Sequence, residues 1–210
     1  TTKTTVISIC FPAFTWIHNP GLQFAFGSYS KSLSHEASMK CRELIASEWY
    51  QARWGDRFQL VGDQNKGKFD NDQKGHRIAT SVGGATTGFN ADILVIDDPN
   101  NIKDGESAAF RHRANTWFSR SWYNRLNHPK KGARIVVQQR CHEKDVSGHI
   151  MSADNFDKEW TSLVIPMEFE SARRARTIIL PSTNGKVWED PRTKEGELLC
   201  EHRFGKSEIK

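Results

Sequence analysis

The chain has 210 residues, 37% of them apolar and 26% charged, proportions ordinary for a globular protein of one domain or one large and one small domain. No apolar run is long enough to span a membrane, and the segment from Val6 to Trp16 lacks the basic leader and cleavage pattern of a signal peptide. The formal net charge is +5, and Cys10, Cys41, Cys141 and Cys200 are scattered without a Cys-x-x-Cys pair, which argues against a disulfide framework and fits reduced thiols.

Residues 3–18 read as a helix kinked at Pro12 and closed by Asn19-Pro20-Gly21. Its opening, Thr2-Lys3-Thr4-Thr5, matches the end of a P-loop, in which the lysine reaches nucleotide phosphates and the next hydroxyl reaches Mg²⁺. Lys3, Thr4 and Thr5 are therefore candidate phosphate ligands, and Thr4 a candidate Mg²⁺ ligand. Thr2 stands where that pattern has glycine, and the strand and first glycine of a full P-loop have no counterpart here. An ordinary polar N-terminus is the other reading of the same residues.

Residues 22–26 then read as a buried strand. Leu33, Ala37, Cys41, Leu44 and Ile45 recur at helical spacing, which predicts an amphipathic helix over 31–49 with that stripe on the sheet. The polar, Gly-rich stretch 55–75 reads as a long loop, and 77–82 as a short strand before Gly83-Gly84.

Ile93-Leu94-Val95-Ile96 is continuously apolar and ends in Asp97-Asp98-Pro99. Buried parallel strands are apolar throughout, and ligands gather at their carboxyl ends, so this run reads as a Walker B strand. Asp97 would hold Mg²⁺ through its water shell and Asp98 would take a proton from a water aimed at a γ-phosphate. The same residues also fit an edge strand entering an acidic turn.

A second amphipathic helix is expected over 107–126, with Phe110, Ala114, Trp117, Phe118 and Ser121 as its inward stripe. From Lys103 to Arg134 there are eight basic residues and two acids, Asp104 and Glu106, an excess that suits a polyanion. Arg113, Arg120, Lys130 and Lys131 are its DNA-binding candidates; a solvated basic face is the alternative. Further on, a strand at 135–137 runs into Gln138-Gln139-Arg140, followed by a short helix at 143–151 and a last strand at 162–166. Alternating strands and helices argue an α/β fold with a mostly parallel sheet flanked by helices. The charged stretch from Glu168 reads as a linker or lid, which divides the chain into a core at 1–167 and a tail at 168–210.

Four segments in order resemble the ATPase half of the phage terminase large subunit, the motor that packages viral DNA. They are Thr2-Lys3-Thr4-Thr5; Gly27-Ser28-Tyr29-Ser30; Gly83-Gly84-Ala85-Thr86-Thr87-Gly88 leading to Asp92 and Ile96-Asp97-Asp98-Pro99; and Gln138-Gln139-Arg140 with His142, Glu143, Asp145, Ser147, Gly148 and His149. The resemblance implies a P-loop NTPase core whose first strand would precede Thr1, a nuclease domain that would follow Lys210, and ATP and Mg²⁺ as cofactors. It implies catalytic roles for Gln139 and Arg140 beside Asp98, as the segment coupling the γ-phosphate to motion. The implied partners are double-stranded DNA, a portal protein, a small terminase subunit and further copies in a ring, with no membrane. The implied location is the cytoplasm of an infected bacterium, at the procapsid portal. Many relatives carry a basic residue after the glycine at Gly88, whereas this chain has Phe89, which leaves the arginine a ring motor needs open between Arg111, Arg113 and a segment that would precede Thr1. A catalytically weak DNA-binding or assembly module with the same fold is the rival expectation. A two-metal nuclease is a third, and it lacks the further strand-end carboxylates such a site needs.

Overall fold

The computed structural model describes residues 2–152, 160–180, 186–202 and 205, so Pro181 of the predicted linker lies outside the described residues. The chain divides into two compact units, Thr1–Phe156 and Asp157–Lys210.

The first unit is an α/β layer built on a six-stranded, mostly parallel sheet flanked by helices, an arrangement compatible with a Rossmann-like fold. Its strands are β1 (Gln23–Ser28), β2 (Leu60–Val61), β3 (Lys68–Asn71), β4 (His76–Ser81), β5 (Ile93–Asp97) and β6 (Ala133–Val137), in the order β2-β3-β4-β1-β5-β6. β4, β1, β5 and β6 run parallel, and β2 and β3 add antiparallel at one edge. β1 is buried along almost its whole length, as a strand covered on both faces must be.

Helix α1 covers residues 2–18 and carries a π-helical stretch, Thr5–Cys10, just ahead of Pro12. Proline has no N–H to give the carbonyl four residues earlier and its ring crowds that carbonyl, so the helix loosens there instead of ending. From α1, Ala13 and Trp16 enter a core with Phe24, Phe26, Phe58, Phe69 and Val95. The Trp16 ring meets Phe24, Phe58 and Phe69 edge-on, and its indole N–H donates to the Leu22 carbonyl at 2.8 Å.

Helix α2 (Lys31–Ala46) buries Ser34, Ala37, Ser38, Cys41 and Ile45, a face rotated from the predicted stripe, because Leu33 is exposed. Small side chains at Ser34 and Ser38 let the helix approach the sheet, and Ser34 Oγ donates to the Phe26 carbonyl. The predicted continuation to residue 49 is broken at Ser47, which is extended and caps a separate helix, α3 (Glu48–Trp54), through Tyr50 N.

The stretch 55–75 is not the expected loop, since it holds β2 and β3. A short polar strand needs only one inward face, and in β3, between β2 and β4, Phe69 and Asn71 supply it. Past β5, α4 (Ala108–Trp117) continues as a π-helical turn, Phe118–Trp122, and after β6 comes α5 (Val146–Met151). No helix among the described residues is long and apolar enough to cross a membrane.

In the second unit, residues 162–166 form no strand, contrary to expectation, and Leu163 and Val164 are exposed. Its order comes from the hairpin of β7 (Arg176–Leu180) and β8 (Lys186–Glu189) and from a buried Arg192–Asp190 ion pair at 2.6 Å. Arg192 also donates to the carbonyls of Pro166, Met167 and Glu197.

Asn71 ties the turn before β4 to the turn after α1: its Oδ1 accepts from Gln73 N and Gly75 N, and its Nδ2 donates to the Pro20 carbonyl at 2.8 Å. Asn71→Ala should leave these groups unpaired and cost about 1–3 kcal/mol, to be read from chemical denaturation. A loss within experimental error would show that water replaces the amide.

Candidate active site

Three parallel strands end at one place. Asp97 is the last residue of β5, and Asp98 follows it in the left-handed region at φ 49°, which aspartate tolerates better than most residues. The Asp98 N–H donates to the Val137 carbonyl at the end of β6 (2.8 Å), and its own carbonyl accepts from Tyr29 N just past β1 (3.0 Å). Asp98 Oδ1 accepts from Gln139 N at 2.9 Å.

Helix α1 brings hydroxyls to the neighbouring acid. Ser8 Oγ donates to Asp97 Oδ2 at 2.8 Å, and Asp97 is only 8% exposed. Burial pushes the Asp97 carboxyl up; hydrogen bonds from Ser8 and Thr4 pull it down, and the charge of Asp98 adds to the rise. Asp97 Oδ1 is buried and has no hydrogen-bond partner among the described residues.

Thr4, Thr5, Asp97 and Asp98 line one cavity of about 300 Å³, together with Ser8, Gly27 to Tyr29 and residues of α2. Four of the residues expected at a nucleotide site thus meet. Lys3 is exposed and does not line this cavity. Among the described residues no three His, Cys, Asp or Glu side chains cluster as a metal cage.

Gln138, Gln139 and Arg140 do three different things. The Gln138 amide donates to Asn100 Oδ1 (3.2 Å) and accepts from Ser147 N and Oγ at the start of α5. Gln139 reaches Asp98 through its main chain. Arg140 turns away to Asp145, whose side chain is fully buried, at 2.9 Å, and to the carbonyls of His142 and Glu143. Asp145 also caps α5 through Gly148 N.

The basic residues do not form one face. Arg111 donates to the Gly105 carbonyl, Arg125 to that of Ser121, and Arg134 to that of Tyr123, over whose ring it lies. The Arg113 guanidinium packs against Gly83, so closely that a Cβ there would lie 2.7 Å from Nη2. Arg120 is exposed in the π-helical turn. Lys130 and Lys131 are exposed just before β6, at the opposite end of the sheet from Asp97 and Asp98. Asp92 is at that far end too, where its carboxylate receives Gln23 N and Asn127 Nδ2.

Sequence reasoning missed Ser8 and Arg77. Ser8 lies one helical turn past Thr4, and that spacing is the signal that would have found it. Arg77 reads as an ordinary strand residue, yet it is fully buried and lines the cavity. Compared with protein-family models and with curated proteins, the chain matches none.

Since the folded protein holds the Asp97 proton more tightly than an unfolded chain does, protonated Asp97 favours the fold at low pH, and that contribution is lost as pH rises through the raised folded value. In chelator-treated buffer, Asp97→Asn should therefore raise the thermal midpoint near pH 7, by about 2–4 °C for each kcal/mol relieved. The difference should shrink as pH falls below the usual carboxylate range. A variant less stable than the parent at pH 7 would mean that the charged form is the one the fold favours.

Proposed function

We propose that the first unit is the ATPase motor core of a viral terminase large subunit, hydrolysing ATP to move double-stranded DNA into a procapsid. The observation that carries this reading is the convergence of Thr4 and Thr5, at the N-terminal end of a helix, with Asp97 and Asp98, at the carboxyl end of an interior parallel strand, on one cavity. Helix N-termini favour phosphate, and strand-end acids favour hydrated Mg²⁺. The packaging role rests on the ordered resemblance of the motifs.

In this reading Thr4 and Thr5 bind the phosphates from the cavity wall, Lys3 would have to turn in from outside it to join them, and Thr4 and Asp97 would hold Mg²⁺. The residues present suit that ion: a buried carboxylate with one oxygen unpartnered, beside hydroxyls. Bound there, Mg²⁺ would neutralise phosphate charge. Asp98 accepts the proton of the attacking water, with its other duty, the bond from Gln139 N, holding the carboxylate in place. Gln139 then couples the site to motion through its main chain, because β6 and the base are directly bonded. Arg140 serves the same coupling by fixing the loop that follows, through Asp145. Double-stranded DNA, a portal protein, a small subunit and a ring of copies are the partners that go with this function, in the cytoplasm of an infected bacterium.

A second reading is favoured by the exposed Lys3 outside the cavity: a module that keeps the fold and binds DNA or nucleotide without turnover. Asp98→Asn separates the two. If Asp98 is the base, the variant retains Mg-ATP affinity and loses about 10²-fold or more in turnover. A parent protein that binds ATP and never hydrolyses it would support the second reading, and a fully active variant would remove Asp98 from the mechanism.

Exposed Arg120, with Arg113 beside the Gly83 turn, is the proposed contact to DNA phosphates. Reversing both charges should weaken binding to all sequences alike and reduce the slope of log affinity against log salt, whereas reversing Lys130 and Lys131, at the other end of the sheet, should change the slope less. Equal slopes for both double variants would discard this assignment.

A further inference from the structure

We infer that Arg77 is a positioning residue for the Asp97 carboxylate, acting through Ser8. Ser8 lies in the π-helical stretch Thr5–Cys10 just ahead of Pro12. Arg77 Nη2, from β4, donates to the Ser8 carbonyl at 3.0 Å. Ser8 Oγ, on the same residue, donates to Asp97 Oδ2 at 2.8 Å. One serine is thus held by its carbonyl on one side and holds a carboxylate with its hydroxyl on the other.

The guanidinium is placed for inward work. Arg77 is 0% exposed and lies 4.0 Å from the centre of the Phe26 ring. Its Nε and Nη1 are buried and have no hydrogen-bond partner among the described residues, so they present no surface to a ligand. Burial lowers its pKa to about 10, which still leaves it charged near neutrality. A charge buried this deeply is costly, and its one hydrogen bond among the described residues goes to the residue that orients Asp97. The other charged groups facing the cavity are Asp98 at the end of β5 and the Glu36–Lys40 pair on α2, which is bonded to itself at 2.6 Å. Neither offers Ser8 an alternative partner in the structure.

The inference rests on the proposed function only for the identity of the ion that Asp97 meets, so its test has one arm with metal and one without. In the first, Mn²⁺ affinity is measured by calorimetry for the parent, Ser8→Ala, Arg77→Met, the double variant Ser8→Ala/Arg77→Met, and Arg77→Lys. Partners that orient a metal ligand cost about 10-fold or more in affinity when removed. Ser8→Ala and Arg77→Met should each show a loss of that order, the double variant should lose no more than either alone, and Arg77→Lys should restore most of it. Losses that multiply would overturn the inference.

The second arm is geometric and needs no metal: in a crystal structure of Arg77→Met, Ser8 Oγ should no longer bond Asp97, and in Arg77→Lys, which keeps a buried donor on β4, the bond should remain. If Arg77→Met does not fold, the structure of Arg77→Lys decides. An intact Ser8–Asp97 bond in Arg77→Met, or its loss in Arg77→Lys, would sink the inference. Absence of Mn²⁺ binding by the parent would count against the metal reading alone, and the geometric arm would still decide.

Discussion

The cleft depends on the backbone of one residue. Asp98 sits where β5 ends, and its N–H and carbonyl reach β6 and β1 on either side while its carboxylate takes a third bond from Gln139. A left-handed aspartate costs on the order of 1–3 kcal/mol, and it persists only where its surroundings over-determine it. Three hydrogen bonds to two strands do that here. Because the turn is pinned on both sides, the two acids point into the cavity from a rigid base, not from a loose loop.

The two carboxylates share a turn but not an environment. Asp97 is buried against α1, with the Ser8 hydroxyl on Oδ2 and no hydrogen-bond partner for Oδ1 among the described residues. Asp98 is less buried and is bonded through a main-chain N–H of the segment after β6. Adjacent acids in different surroundings are suited to different tasks, one to hold a cation and one to move a proton. The same division holds for Gln138, Gln139 and Arg140, three consecutive residues of which one caps α5, one touches Asp98 and one anchors Asp145.

Much of the sheet was legible because apolar runs report burial directly. The strand at Ile93–Asp97 is continuous in sequence and buried in the structure, and Asn19-Pro20-Gly21 stops α1 as turn chemistry requires. Errors arose where burial was carried by small or polar residues. Ser34 and Ser38 face the sheet on α2 while Leu33 is exposed, since close approach favours a small side chain over an apolar one. The strand Lys68–Asn71 alternates a buried phenylalanine and a buried asparagine with charged residues, a pattern that a polar stretch with several glycines conceals. The apolar run at 162–166 forms no strand, because an apolar run in sequence does not report whether another strand stands beside it.

By itself the sequence determined which residues are able to do chemistry at a strand end: two acids after an apolar run, hydroxyls at the start of a helix, and a proline that removes one N–H from that helix. These are local properties of composition and covalent structure. Only the tertiary structure decided that Ser8 meets Asp97 across 89 positions of chain, that Arg77 reaches the Ser8 carbonyl from β4, and that Lys130 and Lys131 stand at the far end of the sheet from the acids. Hydrogen bonds act over about 3 Å, and which groups come within that distance depends on strand order and helix placement, which periodicity along the chain does not encode.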